Sequence, residues 1–141
     1  MWGGASDDQN VYYSLQTGAV AAVKLADGSV AWLQHFDPAG PAGRGGRPRR
    51  GLTAAVTAIP SVVFAGGWDG VLHALAAGDG HELWRFNTAQ EFMTVNGVTA
   101  KGGSLGAPGP VIVGGMLYVG SGYIGTGNGM PGNVLLAFSA Q

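Results

Sequence analysis

The sequence predicts an all-β chain, a partial β-propeller of about three antiparallel four-stranded blades. Three observations predict it. First, Val11-Tyr12-Tyr13 to Trp32 matches Val63-Phe64-Ala65 to Trp84 at a constant offset of 52 residues without a gap. Ala22 then falls on Ala74, Asp27-Gly28 on Asp79-Gly80 and Trp32 on Trp84. Second, a partial third copy follows. Leu117-Tyr118-Val119 matches Val63-Phe64-Ala65, and Val134 to Phe138 matches Val71 to Leu75, with a nine-residue glycine-rich insertion between them. Third, 27 of the 141 residues are glycine and 7 are proline, so turns are frequent and the strands between them short. Repeats of roughly 40–50 residues built from short strands are the signature of propeller blades.

The copies cover approximately residues 2–36, 53–88 and 107–141. In the second, the small and β-branched run from Thr53 to Ala58 reads as the inner strand and Val62 to Ala65 as the next. Gly66-Gly67-Trp68-Asp69-Gly70 turns the chain, because Asp-Gly tolerates the positive φ of a tight hairpin. Val71 to Ala76 is the third strand. Ala77-Gly78-Asp79-Gly80 turns again, and Glu82 to Phe86 is the outer strand. Trp32 and Trp84 recur at one repeat position, which assigns them to packing between blades. The third copy lacks an outer strand, so the edge of Val134 to Phe138 would leave backbone groups unpaired. A closed propeller needs at least about four blades, and this chain supplies fewer than three complete ones. It therefore reads as the C-terminal piece of a larger ring.

Bulk properties narrow the function. The formal charge of −1, with only 11% charged residues, argues against a nucleic-acid or membrane-surface partner, which needs concentrated positive charge. No apolar run approaches the roughly 18 residues of a membrane span. The chain has no cysteine, so this piece offers no disulfide, zinc-thiolate site or c-type haem attachment. The start, Met1 to Asp8, has no basic region followed by an apolar one and does not read as a signal peptide.

Single residues read mostly as structural. His35, His73 and His81 have no metal-like spacing, with His73 packed in a strand and His81 at a turn. Asp69 lies in a hairpin turn, where aspartate is common for local reasons, and Asp7, Asp8, Asp27 and Asp79 read the same way. Arg44, Arg47, Arg49 and Arg50 form a basic loop among Gly and Pro, read either as a solvated connection or as a rim facing a substrate or partner. Ser121 to Gly132 is not a phosphate loop, since it lacks the Lys-Ser/Thr ending and no helix pattern follows. A long loop of this kind can line the mouth of a funnel, which would bring Tyr123 to a substrate.

Two series of motifs carry a family resemblance. Ala22-x-Lys24-x-x-Asp27-Gly28-x-x-x-Trp32 and Ala74-x-Ala76-x-x-Asp79-Gly80-x-x-x-Trp84 resemble the tryptophan-docking repeat of quinoprotein propellers, whose usual form is Ala-x-Asp-x-x-Thr-Gly-x-x-x-Trp. The departures are Lys24, Ala76, Asp27 and Asp79; the Gly and the Trp are kept. The second half resembles the C-terminal region of polyvinyl-alcohol dehydrogenases in Ala54 to Pro60, Phe86-Asn87-Thr88-Ala89, Thr94 to Val98, Gly102-Gly103-Ser104, Gly114 to Val119 and Gly129 to Phe138. The resemblance covers essentially the whole chain. It implies an eight-bladed, periplasmic, PQQ-dependent oxidation of secondary alcohols, with calcium polarising the cofactor and electrons passing to a c-type cytochrome. The base and calcium ligands would come from blades outside this chain, so the isolated piece would be inactive. The implied partners are the remaining blades of a longer chain, the alcohol and the cytochrome.

In this family the cofactor lies near the ring axis, at one end of the inner strands. That places the candidate cofactor contacts at Trp2, Arg50, Gly51, Thr53 and Ser104, with Lys101 a further candidate. Catalytic and metal-binding residues are not expected here. Arg50 keeps two readings, a bidentate partner for a cofactor carboxylate or a solvated loop arginine. An alternative function, a non-catalytic periplasmic scaffold that binds proteins like outer-membrane assembly lipoproteins, shares the docking repeats but need not share the Gly-Gly-Ser and Met-Pro-Gly stretches. A third is self-association, with copies covering each other's open edges.

Overall fold

The computed structural model describes residues 2–39, 43–123 and 129–139. Among them the chain forms thirteen strands: β1 (Ala5–Ser6), β2 (Asn10–Leu15), β3 (Ala19–Lys24), β4 (Val30–His35), β5 (Thr57–Ile59), β6 (Val62–Gly66), β7 (Val71–Ala76), β8 (Glu82–Asn87), β9 (Glu91–Met93), β10 (Thr99–Lys101), β11 (Val111–Val113), β12 (Met116–Ser121) and β13 (Val134–Ser139). A short 3₁₀ turn, Arg44–Gly46, interrupts the connection between β4 and β5. The strands pair antiparallel in sequence order into two four-stranded sheets, β1 to β4 and β5 to β8, a three-stranded sheet, β11 to β13, and a hairpin, β9–β10. These sheets are the blades that the repeat predicts.

The repeat extends to irregularities. In both four-stranded sheets the register shifts at one place, between Ala22 and Val23 and between Ala74 and Leu75, directly beside the pairs Ala22–Trp32 and Ala74–Trp84. A bulge bends the outer strand there and aims the indole at the next blade. Trp32 uses that aim fully. Its Nε1–H donates to the Ala77 carbonyl at 2.8 Å, it packs beside Tyr12 at 5.8 Å, and it covers Gly80 so closely that a Cβ there would lie 2.5 Å from the ring. Tyr12, Val20, Ala22 and Trp32 of the first blade close with Leu52, Val63, Ala65 and Leu75 of the second into one core. A second core joins Ala54 and Leu72 to Leu105, Leu117 and Val119 of the third blade.

Trp84 is less complete. It meets Phe138 edge-on at 5.3 Å and Phe86 at 5.9 Å, yet stays 39% exposed against 9% for Trp32.

The inner strand is shorter than the sequence suggested. Only Thr57–Ile59 pairs as a strand, and residues 52–56 spend their backbone bonds elsewhere. Thr53 and Ala54 donate to the Gly66 carbonyl, Ala55 to Ala107, and Val56 to Gly3. The inner segment of the second copy therefore bonds to those of the first and the third, and small Ala54 and Ala55 permit that approach.

Candidate functional site

One end of the sheets gathers the turns between second and third strands and the long connections between blades. In the second blade this turn is Gly67-Trp68-Asp69-Gly70. Gly70 supplies its positive φ of 77°, and Asp69 fixes it by accepting from Val71 N–H through Oδ1 and from Ala39 N–H through Oδ2, each at 3.1 Å. The structural reading of Asp69 holds: its carboxylate is buried and used on the backbone.

Gly51 presses against this turn. Its carbonyl accepts from Trp68 N–H at 3.1 Å. Its own φ of 109° is open to few residues but glycine, and a Cβ would stand 3.0 Å from the Gln16 carbonyl and 3.3 Å from the Trp68 ring. Gly67 is equally confined, with 2.5 Å between its missing Cβ and the Gly51 carbonyl. These glycines allow the connection to lie directly on the turn, which leaves Trp68 and the preceding residues as the walls of an open cavity of about 260 Å³. Pro48, Arg49, Arg50 and Trp68 line it. A half-buried aromatic residue lining the same cavity as Arg50 suits a flat ligand carrying negative charge, because a ring stacks and a planar guanidinium pairs with carboxylates.

The sequence candidates divide in this setting. Arg50 and Gly51 belong to the cavity or its support. The Thr53 hydroxyl donates to the Leu105 carbonyl at 3.0 Å, a bond between adjacent copies. Ser104 is fully enclosed. Its hydroxyl donates to the Trp68 carbonyl at 2.5 Å and accepts from Met130 N–H at 2.7 Å, so it holds the Trp68 turn against the third blade. Trp2 is 68% exposed, on the segment whose Gly3 carbonyl takes the Val56 N–H. Lys101, at the end of β10, accepts from the Asn133 N–H through its carbonyl and donates its own N–H to the Asn133 side-chain oxygen. Tyr123 is exposed, and residues 124–128 of its loop lie outside the described part.

Sequence reasoning missed two things. One is Trp68, which the sequence places in a turn; a large aromatic among glycines, where the first copy has Gln16, is the available signal. The other is a buried hydroxyl pair behind the site. Thr88 donates to the Gly70 carbonyl at 2.8 Å, Ser121 donates to Thr88 Oγ1 at 2.7 Å, and Gly103 N–H donates to Ser121 at 2.8 Å. The Gly-Gly-Ser and Met-Pro-Gly stretches meet on this knot: a Cβ at Gly102 would lie 1.7 Å from the Thr88 carbonyl, and one at Gly103 would lie 2.1 Å from Met130. Among the described residues no group of three His, Asp or Glu converges as a metal site, and no helix is long and apolar enough to cross a membrane.

Comparison with known proteins fits this geometry. The sequence profile described as outer membrane protein assembly factor BamB matches residues 16–141. A polyvinylalcohol dehydrogenase from a Pseudomonas species is 40% identical over 99% of this chain, which spans 24% of that protein's length. Among solved structures, BamB from Moraxella catarrhalis superposes with a TM-score of 0.61 at 19% identity, over 84% of this chain and 33% of BamB. Quinohemoprotein alcohol dehydrogenase from Comamonas testosteroni gives 0.56 at 25% identity, over 85% of this chain and 17% of the enzyme. With that profile spanning most of its length and such relatives beside it, the chain belongs to the PQQ-type repeat-propeller family that includes the quinoprotein alcohol dehydrogenases.

Proposed function

We propose that this chain forms consecutive blades of a longer, extracytoplasmic PQQ-dependent dehydrogenase that oxidises secondary alcohols of the polyvinyl alcohol kind. The observation that carries the reading is the Arg50–Trp68 cavity in a chain 40% identical to a polyvinylalcohol dehydrogenase.

The residues fit the cofactor in kind. PQQ is a planar quinone bearing carboxylates, and Trp68 offers it a face while Arg50 offers it a cation. Bound there, it would supply the two-electron acceptor for alcohol oxidation. Gly51 and Gly67 let the connection lie directly on the turn that presents Trp68. Ser104 and Thr53 act behind it as positioning residues, holding the turn and the inner segments in register, while exposed Trp2 does not line this cavity. Calcium ligands, the general base and the contacts to a cytochrome acceptor belong to the rest of the longer chain or to its partner.

The exposed faces support the need for further blades. Strand pairing puts Val111, Val113, Met116, Tyr118 and Leu135 on the side of the third sheet turned away from the second, and Val111, Val113 and Leu135 are exposed there. An apolar sheet face of this kind fits a following blade.

The test is alcohol-dependent dye reduction by the full-length protein reconstituted with PQQ and calcium. Turnover of polyvinyl alcohol or 2,4-pentanediol that requires PQQ is expected; its absence in a protein that holds PQQ would refute the enzymatic reading. A second reading, a protein-binding scaffold, draws on the likeness to BamB, and it predicts neither PQQ binding nor turnover.

A further inference from the structure

A larger cavity, about 550 Å³, opens further out along the first blade junction, at the same end of the sheets as the Trp68 turn. It lies between the end of β4 with the residues after it and the strands β7 and β8. A small recess lies between it and the Arg50–Trp68 cavity: Phe36 lines both the outer cavity and the recess, and Arg49 and Arg50 line both the recess and the inner cavity.

The chemistry of its walls is mixed. Gln34 and Asn87 offer amides, Asp37 and Glu82 carboxylates, and His35 and Arg85 donors from ring and guanidinium. An anion or a cation would meet groups of its own sign there. A hydroxyl both donates and accepts, so it can pair with every one of these walls. Phe36 and Val71 supply apolar surface for the carbon backbone between hydroxyls. At the inner wall stands His73, 4% exposed. Its Nδ1 is 2.6 Å from Glu82 Oε1, and its Nε2 is the buried side-chain polar atom, among the described residues, that has no hydrogen-bond partner. Buried polar atoms are rarely left so without a reason.

We propose that this outer cavity is a second, non-catalytic binding site for a neutral polyhydroxy chain, and that it holds one stretch of a polymeric alcohol while another stretch reaches the inner cavity. The inference rests on the proposed alcohol oxidation for its substrate, but the cavity itself does not depend on that reading. Two linked sites on one polymer raise its effective concentration at the second; a short alcohol gains nothing from the first.

The experiment uses the full-length protein and two variants. His35→Ala combined with Arg85→Ala removes two exposed polar walls, and Ala39→Trp fills the space from its rim. Retardation in native gels containing polyvinyl alcohol reads binding without any cofactor. Both variants are expected to weaken it by about fivefold or more, and in the PQQ-loaded enzyme to raise KM for the polymer by a similar factor with kcat unchanged. KM for 2,4-pentanediol should not move. Unchanged retardation, or an equal loss with polymer and short diol, overturns the proposal. Cavity-dependent retardation without any alcohol oxidation would support the site and refute the enzymatic reading instead.

Discussion

The same Asp-Gly turn and the same outer-strand tryptophan occur twice in this chain, and the two copies meet different fates. Gly80 receives Trp32 of the preceding blade, whereas a Cβ at Gly28 would meet nothing within 4 Å. The Ala77 carbonyl is taken by the Trp32 indole, while Leu25, its counterpart in the first copy, is exposed. Trp32 is covered and Trp84 is half open. Docking is thus a property of the pair of blades: each blade carries a socket for its predecessor and a plug for its successor, and the outermost socket and plug remain open within this chain.

The largest expected effect lies on the plugs. Trp32→Ala should cost about 3–5 kcal/mol, the usual loss for a buried large aromatic. Trp84→Ala should cost less than half of that in the 141-residue chain, as read by denaturant unfolding. In a longer protein with a following docking turn the two losses should converge; a persistent gap there would break the symmetry of the comparison.

The sockets come next. Both glycines have positive φ, 73° and 77°, so either alanine substitution incurs backbone strain of roughly 1 kcal/mol. Gly80→Ala adds a collision with the Trp32 ring and should lose about 2 kcal/mol more than Gly28→Ala. Equal losses would mean that Trp32 does not rest on this turn.

The two seams also differ in chemistry. The first is closed by the indole on an apolar bed, the second by the Thr88–Ser121 hydroxyl pair under Gly103. Ser121→Ala strands the Gly103 N–H and should destabilise by about 1–3 kcal/mol, with faster amide exchange at Gly103 as the local sign. Ser14→Ala, in the first seam, removes a hydroxyl that donates to the Ala54 carbonyl; that acceptor loses less than a stranded donor, and the cost should be smaller.

The smallest difference is Tyr12 against Phe64, its counterpart in the second blade. The Tyr12 hydroxyl donates to Asp7 at 2.5 Å, and that bond, with backbone N–H groups of Asn10 and Gln9, holds the Asp7 carboxyl below its ordinary value. A lowered carboxylate pKa stabilises the fold above the unfolded value, and the contribution is lost as pH falls through the folded one. Asp7 is exposed, so solvent screening keeps its share small. Tyr12→Phe should cost about 1 kcal/mol and move the Asp7 titration upward by NMR. An unmoved titration would show that the tyrosine does not set it.

Strands β6 to β8 were legible within a residue because a 52-residue self-match fixes register without knowledge of the partner. Trp32 was legible as an interblade residue for the same reason. The inner strand was not. Residues 52–56 look β-prone, but beyond Gly66 of the neighbouring strand their bonds go to Gly3 and Ala107, partners no local pattern reveals. Gly102-Gly103-Ser104 resembled a ligand-facing motif, yet its glycines are fixed by a carbonyl and its serine by Trp68, through contacts with residues distant in sequence. Trp68 escaped notice because Asp-Gly dominated the reading of its turn.

Equilibrium titration of the full-length protein with PQQ in the presence of calcium tests the cavity most directly. Saturable binding is expected, weakened about tenfold or more by Arg50→Ala or Trp68→Ala, as loss of a charged pair or a stacked ring implies, and unaffected by Trp84→Phe. Binding indifferent to both Arg50 and Trp68, or no binding at all, would contradict the site assigned here.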